Sequence, residues 1–283
     1  MTRNQQIAYW VRYEAFRKPA EQRGYKVFRA MLNRQTRRVL DHLLQNGTRN
    51  TIEALPRLII TYDTLTTMQG FYVAEGLPFA IREFEQVSGQ KAHYIHDMRA
   101  KGLFSWLFGQ NVAVQVSATA FSDYWKKLLV GFVTDNSATK VKNINETTRK
   151  KLNDILTNAV DTQQTVAQTA SKIRKQMQTM TKWRAANIAR TEANSAANYA
   201  ATIGAESSAK LLTNARLEKF WIAAADTRTR DAHLAMLGKD SIPINAMFNV
   251  GGELMAYPCA SGGSARNVCN CRCAVAHRVV RDV

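Results

Sequence analysis

The stretch KWRAANIARTEANSAANYAATIGAESSAK, residues 182–210, carries Ala189, Ala193, Ala197, Ala201, Ala205 and Ala209 at a constant interval of four. On a helix, positions four apart form one ridge, and a ridge of small side chains lets a neighbouring helix approach closely, with a preferred crossing near about −50°. The stretch therefore reads as a long packed helix. The alanine ridge is a packing device, with no part in catalysis.

Working towards the N-terminus, two shorter helices are expected. One covers roughly 146–160 and packs Leu152, Ile155, Leu156 and Val160. The next begins near Thr165, reaches about Met177, and has Val166, Ala170 and Ile173 as its apolar stripe. Before them the composition turns polar over 134–148 (Thr134-Asp135-Asn136-Ser137-Ala138-Thr139), which predicts a linker or boundary. Leu103-Phe104-Ser105-Trp106-Leu107-Phe108 is the most apolar patch. It is too short to span a bilayer and reads as a buried corner or a docking knob in which Trp106 and Phe108 would meet a partner. Gly89 and Gly102 punctuate this stretch, and the alternation of Val112, Val114 and Val116 hints at a short strand or extended arm. Pro56 and Pro78 suggest first-turn or boundary positions, and Asn46-Gly47 a helix stop. Over residues 23–44 a helical projection puts Tyr25, Phe28, Leu32, Val39 and Leu43 on one face. Arg23, Lys26, Arg34, Arg37 and Arg38 fall on the other, a solvated face or a nucleic-acid-binding one.

Towards the C-terminus the character changes after Asn214. Leu217, Phe220, Trp221 and Ile222 suggest a strand, and Asp226-Thr227-Arg228-Thr229-Arg230 a turn with Asp226 as helix N-cap. Gly238, Pro243, Gly251-Gly252, Pro258 and Gly262-Gly263 mark a loop-rich tail. The fold class is thus a mainly α N-terminal part with long helices, followed by a small α+β C-terminal module. Three regions follow: a helical N-terminal domain or arm (1–135), a helical connector holding the alanine-ridged helix (136–215), and a compact α+β tail (216–283).

The 283 residues include 39 Lys and Arg against 22 Asp and Glu, a net charge of +17 with a pI near 10.0. Eleven of the basic residues and three of the acids lie in the first 50. Such a balance says nothing of fold, but it points to a nucleic acid, an anionic lipid surface or an acidic protein as partner. No apolar run is long enough to span a membrane, and the opening Met1-Thr2-Arg3-Asn4 leads into a Tyr- and Arg-rich helical pattern rather than an apolar signal core. Secretion by the usual route is disfavoured. All four cysteines (Cys259, Cys269, Cys271, Cys273) fall within the last 25 residues, and three alternate, a spacing that strains disulfide geometry. They read as reduced thiols clustered for a local reason.

Three clusters occur in order: Ile188-Ala189-Arg190-Thr191-Glu192; Trp221 followed by Asp226-Thr227-Arg228, His233 and Gly238; and Phe248, Tyr257-Pro258 and Asn270-Cys271-Arg272-Cys273. With these spacings, residues 183–277 resemble the phage Mu protein F-like head-morphogenesis family. The motif residues are Arg190, Thr191, Glu192, Trp221, Asp226, Arg228, His233, Gly238, Asn270, Cys271, Arg272 and Cys273. The chain departs from the family pattern at Cys259-Ala260-Ser261-Gly262 and in the additional Cys269. The resemblance implies a minor capsid protein that binds the portal protein in low copy number and touches packaged DNA, and the net charge of +17 fits contact with double-stranded DNA without sequence preference. It would sit in the capsid interior near the portal vertex, after assembly in the host cytoplasm, with the major capsid or scaffold protein as further partners and delivery with the DNA as an extension. It also implies structural rather than catalytic roles for the motif residues.

Read as chemistry alone, the tail leaves alternatives open. If residues 269–273 are extended, Cys269, Cys271 and Cys273 share a side and, with Cys259 and either His233 or His277, could supply four soft ligands to zinc. One-residue spacing is not the usual zinc knuckle, and the other reading is small buried thiols in a tight tail. His233 with Asp226 or Asp231 resembles an acid–base pair, whereas arginines beside carboxylates usually form ion pairs. No catalytic residue is assigned. The competing functions are a metal-dependent enzyme, such as a nuclease or toxin-like transferase, and a basic nucleic-acid-binding protein unrelated to virions.

Overall fold

The computed structural model describes residues 1–88, 119–210 and 215–281. The apolar patch at 103–108 with Trp106 and Phe108, the glycines Gly89 and Gly102, the alternating Val112, Val114 and Val116, and Asn214 lie outside them. Among the described residues four long helices lead: α1 (Arg3–Leu58), α2 (Thr61–Ser88), α3 (Thr119–Asp161) and α4 (Val166–Ala209). The tail follows with β1 (Ala215–Ile222), α5 (Asp231–Leu234), β2 (Ile242–Pro243), β3 (Phe248–Val250), β4 (Glu253–Met255), α6 (Ala265–Val268) and β5 (Ala274–Arg281). This is the expected fold class.

Helix α1 starts in a capping box: Thr2 Oγ1 accepts from Gln5 N–H while the Gln5 side chain accepts from Thr2 N–H. Asn46-Gly47 does not end it. Gly47 takes φ +76° and the helix resumes beyond a kink, where Thr51 Oγ1 donates to Gly47 O at 2.8 Å and to or from His42 Nδ1 at 3.0 Å. Pro56 and Pro78 sit inside α1 and α2 rather than at boundaries. Each costs one helical hydrogen bond, a cost that tertiary packing of long helices absorbs.

The polar stretch 134–148, expected as a linker, is continuous helix within α3. Its polar residues serve a buried layer. Asn145 Oδ1 accepts from Gln35 Nε2 (3.0 Å) and Thr64 Oγ1 (2.8 Å), and Thr148 Oγ1 accepts from Arg184 Nη1 (2.7 Å). The helices expected at 165–177 and 182–210 are one helix, α4, begun by a second capping box between Thr165 and Gln168.

Helix α4 is the axis of the molecule. Ala189, Ala193, Ala197, Ala201 and Ala205 are buried, and so is nearly every residue from 191 to 205. The small side chains let its neighbours come close: a Cβ on Gly204 would lie 2.2 Å from the carbonyl oxygen of Ala80 in α2. One large core runs from α1, α2 and α3 through α4 into the tail. A second core, at the distal end, joins Val39, Leu43, Leu55 and Ile59 of α1 with Leu152, Ile155 and Leu156 of α3 and Ala170, Ile173 and Met177 of α4.

The tail sheet has the order β2-β1-β5, all antiparallel. Trp221 stands opposite Val275 and Phe220 opposite Ala276; the two side chains leave opposite faces of β1 and both are buried, and β1 and β5 both pack against α4. Gly251 (φ +62°) and Gly252 (φ +86°) turn the β3–β4 hairpin, the conformation a two-residue mirror-image turn needs.

Candidate functional site

The motif residues meet where α4 passes beneath the start of β5. Asn270 adopts φ +57°, a conformation that asparagine tolerates better than most side chains. Its N–H donates to Thr191 Oγ1 (3.0 Å) and its Oδ1 accepts from Arg190 Nη1 (3.2 Å). Arg190 reaches on to Glu21 of α1 (3.0 Å). Glu192 points the other way and is buried. It accepts from Tyr72 Oη (2.5 Å) and Lys140 Nζ (3.0 Å), tying α2 and α3 to α4.

The left-handed turn at Asn270 also breaks the expected alternation of cysteines. Cys271 and Cys273 point inward and are buried, while Cys269 is exposed with its carbonyl accepting from Arg230 Nη2 (2.6 Å). His277 is remote from them, paired with Glu83 at 2.8 Å. His233 arrives from α5. Its Nδ1 lies 3.4 Å from Cys273 Sγ and 3.6 Å from Cys271 Sγ, and its ring stands edge-on to Trp221 with centroids 5.4 Å apart. Among the described residues, His233, Cys271 and Cys273 are the group whose ligand atoms come within 4.8 Å of one another. Cys259 is buried beside Cys271, with φ +67°, and its sulfur accepts from Asn194 Nδ2 at 3.3 Å.

The tautomer of His233 follows from its neighbours. Asn267 Nδ2 donates to Val250 O (3.3 Å), which leaves Asn267 Oδ1 to accept from His233 Nε2–H (3.2 Å). The lone pair of Nδ1 therefore faces the thiols. Burial, more than the Asn267 contact opposes it, holds the imidazole below its ordinary pKa, hence neutral at pH 7. Burial alone would raise Cys273, but hydrogen bonds from the Cys271 thiol and from Ala224 N–H outweigh it and bring this thiol below the ordinary value. The Cys259 thiol, beside the Cys271 thiol and buried, is pushed well up, and its S–H donates to Val268 O (3.5 Å).

Asp226 is not a helix cap; α5 begins after Arg230, with no side-chain cap. Asp226 instead receives Arg272 on both carboxylate oxygens and the backbone N–H of Arg228 (3.0 Å). The Arg272 guanidinium, chiefly, holds its carboxyl well below the usual range. The Arg228 side chain is mostly exposed, 3.4 Å from Asp226. Gly238 takes φ +86° and donates its N–H to Gln6 Oε1 (2.8 Å). The first turns of α1 thus clasp the tail. Trp10 Nε1 donates to Arg272 O (3.0 Å) and Tyr9 Oη to Val275 O (3.2 Å).

Asn194 and Asn198 were not singled out from the sequence. Both are fully buried, and both donate to Cys273 O (3.0 and 3.1 Å), while Asn198 Oδ1 accepts from Val275 N–H (2.7 Å). Their signal was two amides four apart, each one residue beyond an alanine of the ridge. The basic residues of α1 divide. Arg23 chelates Glu75 (2.7 and 2.6 Å), Arg38 pairs with Asp63 (2.6 Å) and Arg34 lies 3.9 Å from the same carboxylate, whereas Lys26 and Arg37 are exposed.

The family model described as Phage Mu protein F like protein matches residues 150–276, starting in α3 ahead of the region the motifs mark. This segment is similar to the Phage Mu protein F-like family, and the likeness supports a role in phage head morphogenesis as a minor capsid component. No curated protein and no solved structure matches it. No helix among the described residues is long and apolar enough to cross a membrane.

Proposed function

We propose that the chain is a phage head protein that sits at the portal, turns its distal helical lobe towards packaged double-stranded DNA, and holds that DNA without reading its sequence. The distribution of charge supports the DNA contact. Over residues 29–59 and 139–184, the parts of α1, α3 and α4 around the second core, sixteen Lys or Arg stand against five acids. Lys142, Lys150, Arg174, Lys175 and Lys182 are exposed there, and Arg29, Arg37 and Arg174 line a groove between α1 and α4. Basic side chains spread over rigid helices displace condensed counterions from a duplex, which gives affinity without base contacts. Because Arg23, Arg34 and Arg38 already hold or face carboxylates, the exposed Lys26 and Arg37 and the charges of α3 and α4 carry this reading.

The family supports the portal-side position, with delivery alongside the DNA as its extension and the major capsid or scaffold protein as assembly partners. A metal-dependent enzyme is the weaker reading. Asp226 is engaged by Arg272, and the ring nitrogens of His233 face Asn267 and the Cys273 thiol, so His233 and Asp226 do not form an acid–base pair.

Binding of the full chain to unrelated duplexes across a salt series tests the DNA contact. Equal affinities that fall steeply with salt are expected; an affinity flat from low to moderate salt overturns it. Co-expression with the portal protein tests the position. The chain should co-purify with portal rings, and rings free of it would exclude that site.

A further inference from the structure

We propose that the tail holds one zinc ion, bound by His233 Nδ1 and the Cys271 and Cys273 thiolates, with Cys259 closing the fourth side. The distances fit the ion. Zinc–sulfur bonds of about 2.3 Å and zinc–nitrogen bonds of about 2.0–2.1 Å at a tetrahedral angle put a ligand nitrogen about 3.6 Å from each ligand sulfur. His233 Nδ1 lies 3.4 Å from Cys273 Sγ and 3.6 Å from Cys271 Sγ. All three side chains are buried, in soft-donor chemistry suited to zinc.

The surroundings are arranged as around a ligand set. A metal-bound imidazole needs its far N–H held, and Asn267, itself fixed by the Val250 carbonyl, holds Nε2–H. Thiolates need N–H donors. Cys271 Sγ has the Cys273 N–H at 3.5 Å, and Cys259 Sγ has Asn194 Nδ2 at 3.3 Å. Cys259, buried nearby with φ +67°, lies outside the set within 4.8 Å and its thiol donates to Val268 O (3.5 Å), so it reaches the ion by turning its sulfur away from that carbonyl. A disulfide between Cys271 and Cys273 is the competing use of the thiols, and one intervening residue strains it. With four protein ligands and no open position the ion would be structural. It would join α5, the loop after β4 and the start of β5, three segments that share little regular secondary structure.

Elemental analysis of the full chain, purified without chelator or metal column, tests the assignment. About one zinc per chain is expected in the wild type and in Cys269→Ser, and under about a tenth in Cys271→Ser/Cys273→Ser. Since that double variant can fail to fold, cobalt(II) added to chelator-treated wild-type chain gives a second readout. Sulfur-to-cobalt charge transfer and the intense visible bands of a tetrahedral ion are expected. Wild-type protein with neither zinc nor these bands overturns the proposal, and so does zinc retained in a folded double variant. Cys259→Ser should lower affinity by about 10-fold or more and remove about a third of the charge-transfer intensity; unchanged intensity removes Cys259 from the set.

Discussion

Arg272 lays its guanidinium across the carboxylate of Asp226, with Nη2 2.6 Å from Oδ1 and Nη1 on Oδ2, and so ties the start of β5 to the turn after β1. Asp226 retains side-chain exposure of 29% against 8% for Arg272, so the pair lies at the edge of the tail and not in its core. A fork of two parallel N–H···O bonds depends on the planar guanidinium, which an ammonium cannot reproduce. Arg272→Lys should therefore cost about 1–2 kcal/mol in urea unfolding. In a double-mutant cycle with Asp226→Asn the coupling should be about 1 kcal/mol, and a coupling indistinguishable from zero would make the pair a surface contact without consequence.

Helix α4 meets α2 most closely at Gly204, where a Cβ would collide with the Ala80 carbonyl, a backbone atom that cannot rotate away. Gly204→Ala should cost about 3 kcal/mol or more, because the helices must separate. Gly131 in α3 is the control: nothing lies within 4 Å of its Cβ position. Gly131→Ala should gain about 0.5–1 kcal/mol from helix propensity. Thermal unfolding of the two variants checks both signs, and equal effects would refute the close approach.

The alanine interval made this helix legible from sequence, since four-residue recurrence has one geometric meaning on a helix. The apolar face of α1 was equally plain: Phe28, Leu32, Val39 and Leu43 are buried as their spacing requires. The polar run 134–148 misled, because composition reports polarity and not whether polar atoms meet water or one another. Asn145 and Thr148 are buried in a hydrogen-bonded layer that exists only once α1, α2 and α4 are in place. The alternation of cysteines misled for a local reason: one left-handed residue, Asn270, reverses the side on which Cys269 would fall. The partnership of His233 with Cys271 and Cys273 joins positions 38 and 40 residues apart, which no local pattern encodes.

Asn198 binds both strand-side groups at the entry to β5, accepting from Val275 N–H and donating to Cys273 O. Removal of its amide strands the buried Val275 N–H, at a cost of about 1–3 kcal/mol, while the Cys273 carbonyl keeps the Asn194 amide. Asn198→Ala should lower stability by about 1–3 kcal/mol and speed hydrogen exchange at Val275 before that at the helix interiors. Uniform acceleration throughout the chain would show that the amide does not act locally.

Lys219 on β1 is buried, donates to Ala256 O at 2.8 Å and lies over the Phe248 ring. Burial brings its pKa down to about 8. An unfolded lysine titrates near about 10.4, so between about pH 8 and 10 the unfolded chain binds more protons than the folded one. Through this residue, stability rises as pH rises across that window. Buried thiols and tyrosines act in the opposite sense, so the comparison is with Lys219→Met. Denaturant titrations at pH 7.5 and about 9.5 should show wild type gaining relative to the variant; parallel changes would mean that Lys219 is solvated in solution.

If the distal lobe is the surface that meets DNA, its charges should appear in the salt dependence and not merely in the affinity. Lys150, Arg174 and Lys175 are exposed, and none takes part in an ion pair that shapes the fold. Each phosphate contact contributes about 0.9 to the slope of log affinity against log salt. Lys150→Gln/Arg174→Gln/Lys175→Gln should thus flatten that slope by about 2–3 while weakening binding equally for unrelated sequences. Lys239→Gln in the tail, also exposed, should leave the slope within about 0.3 of wild type. Equal flattening per charge in both proteins would mean that the whole +17 acts as a diffuse cloud, with no DNA-facing lobe.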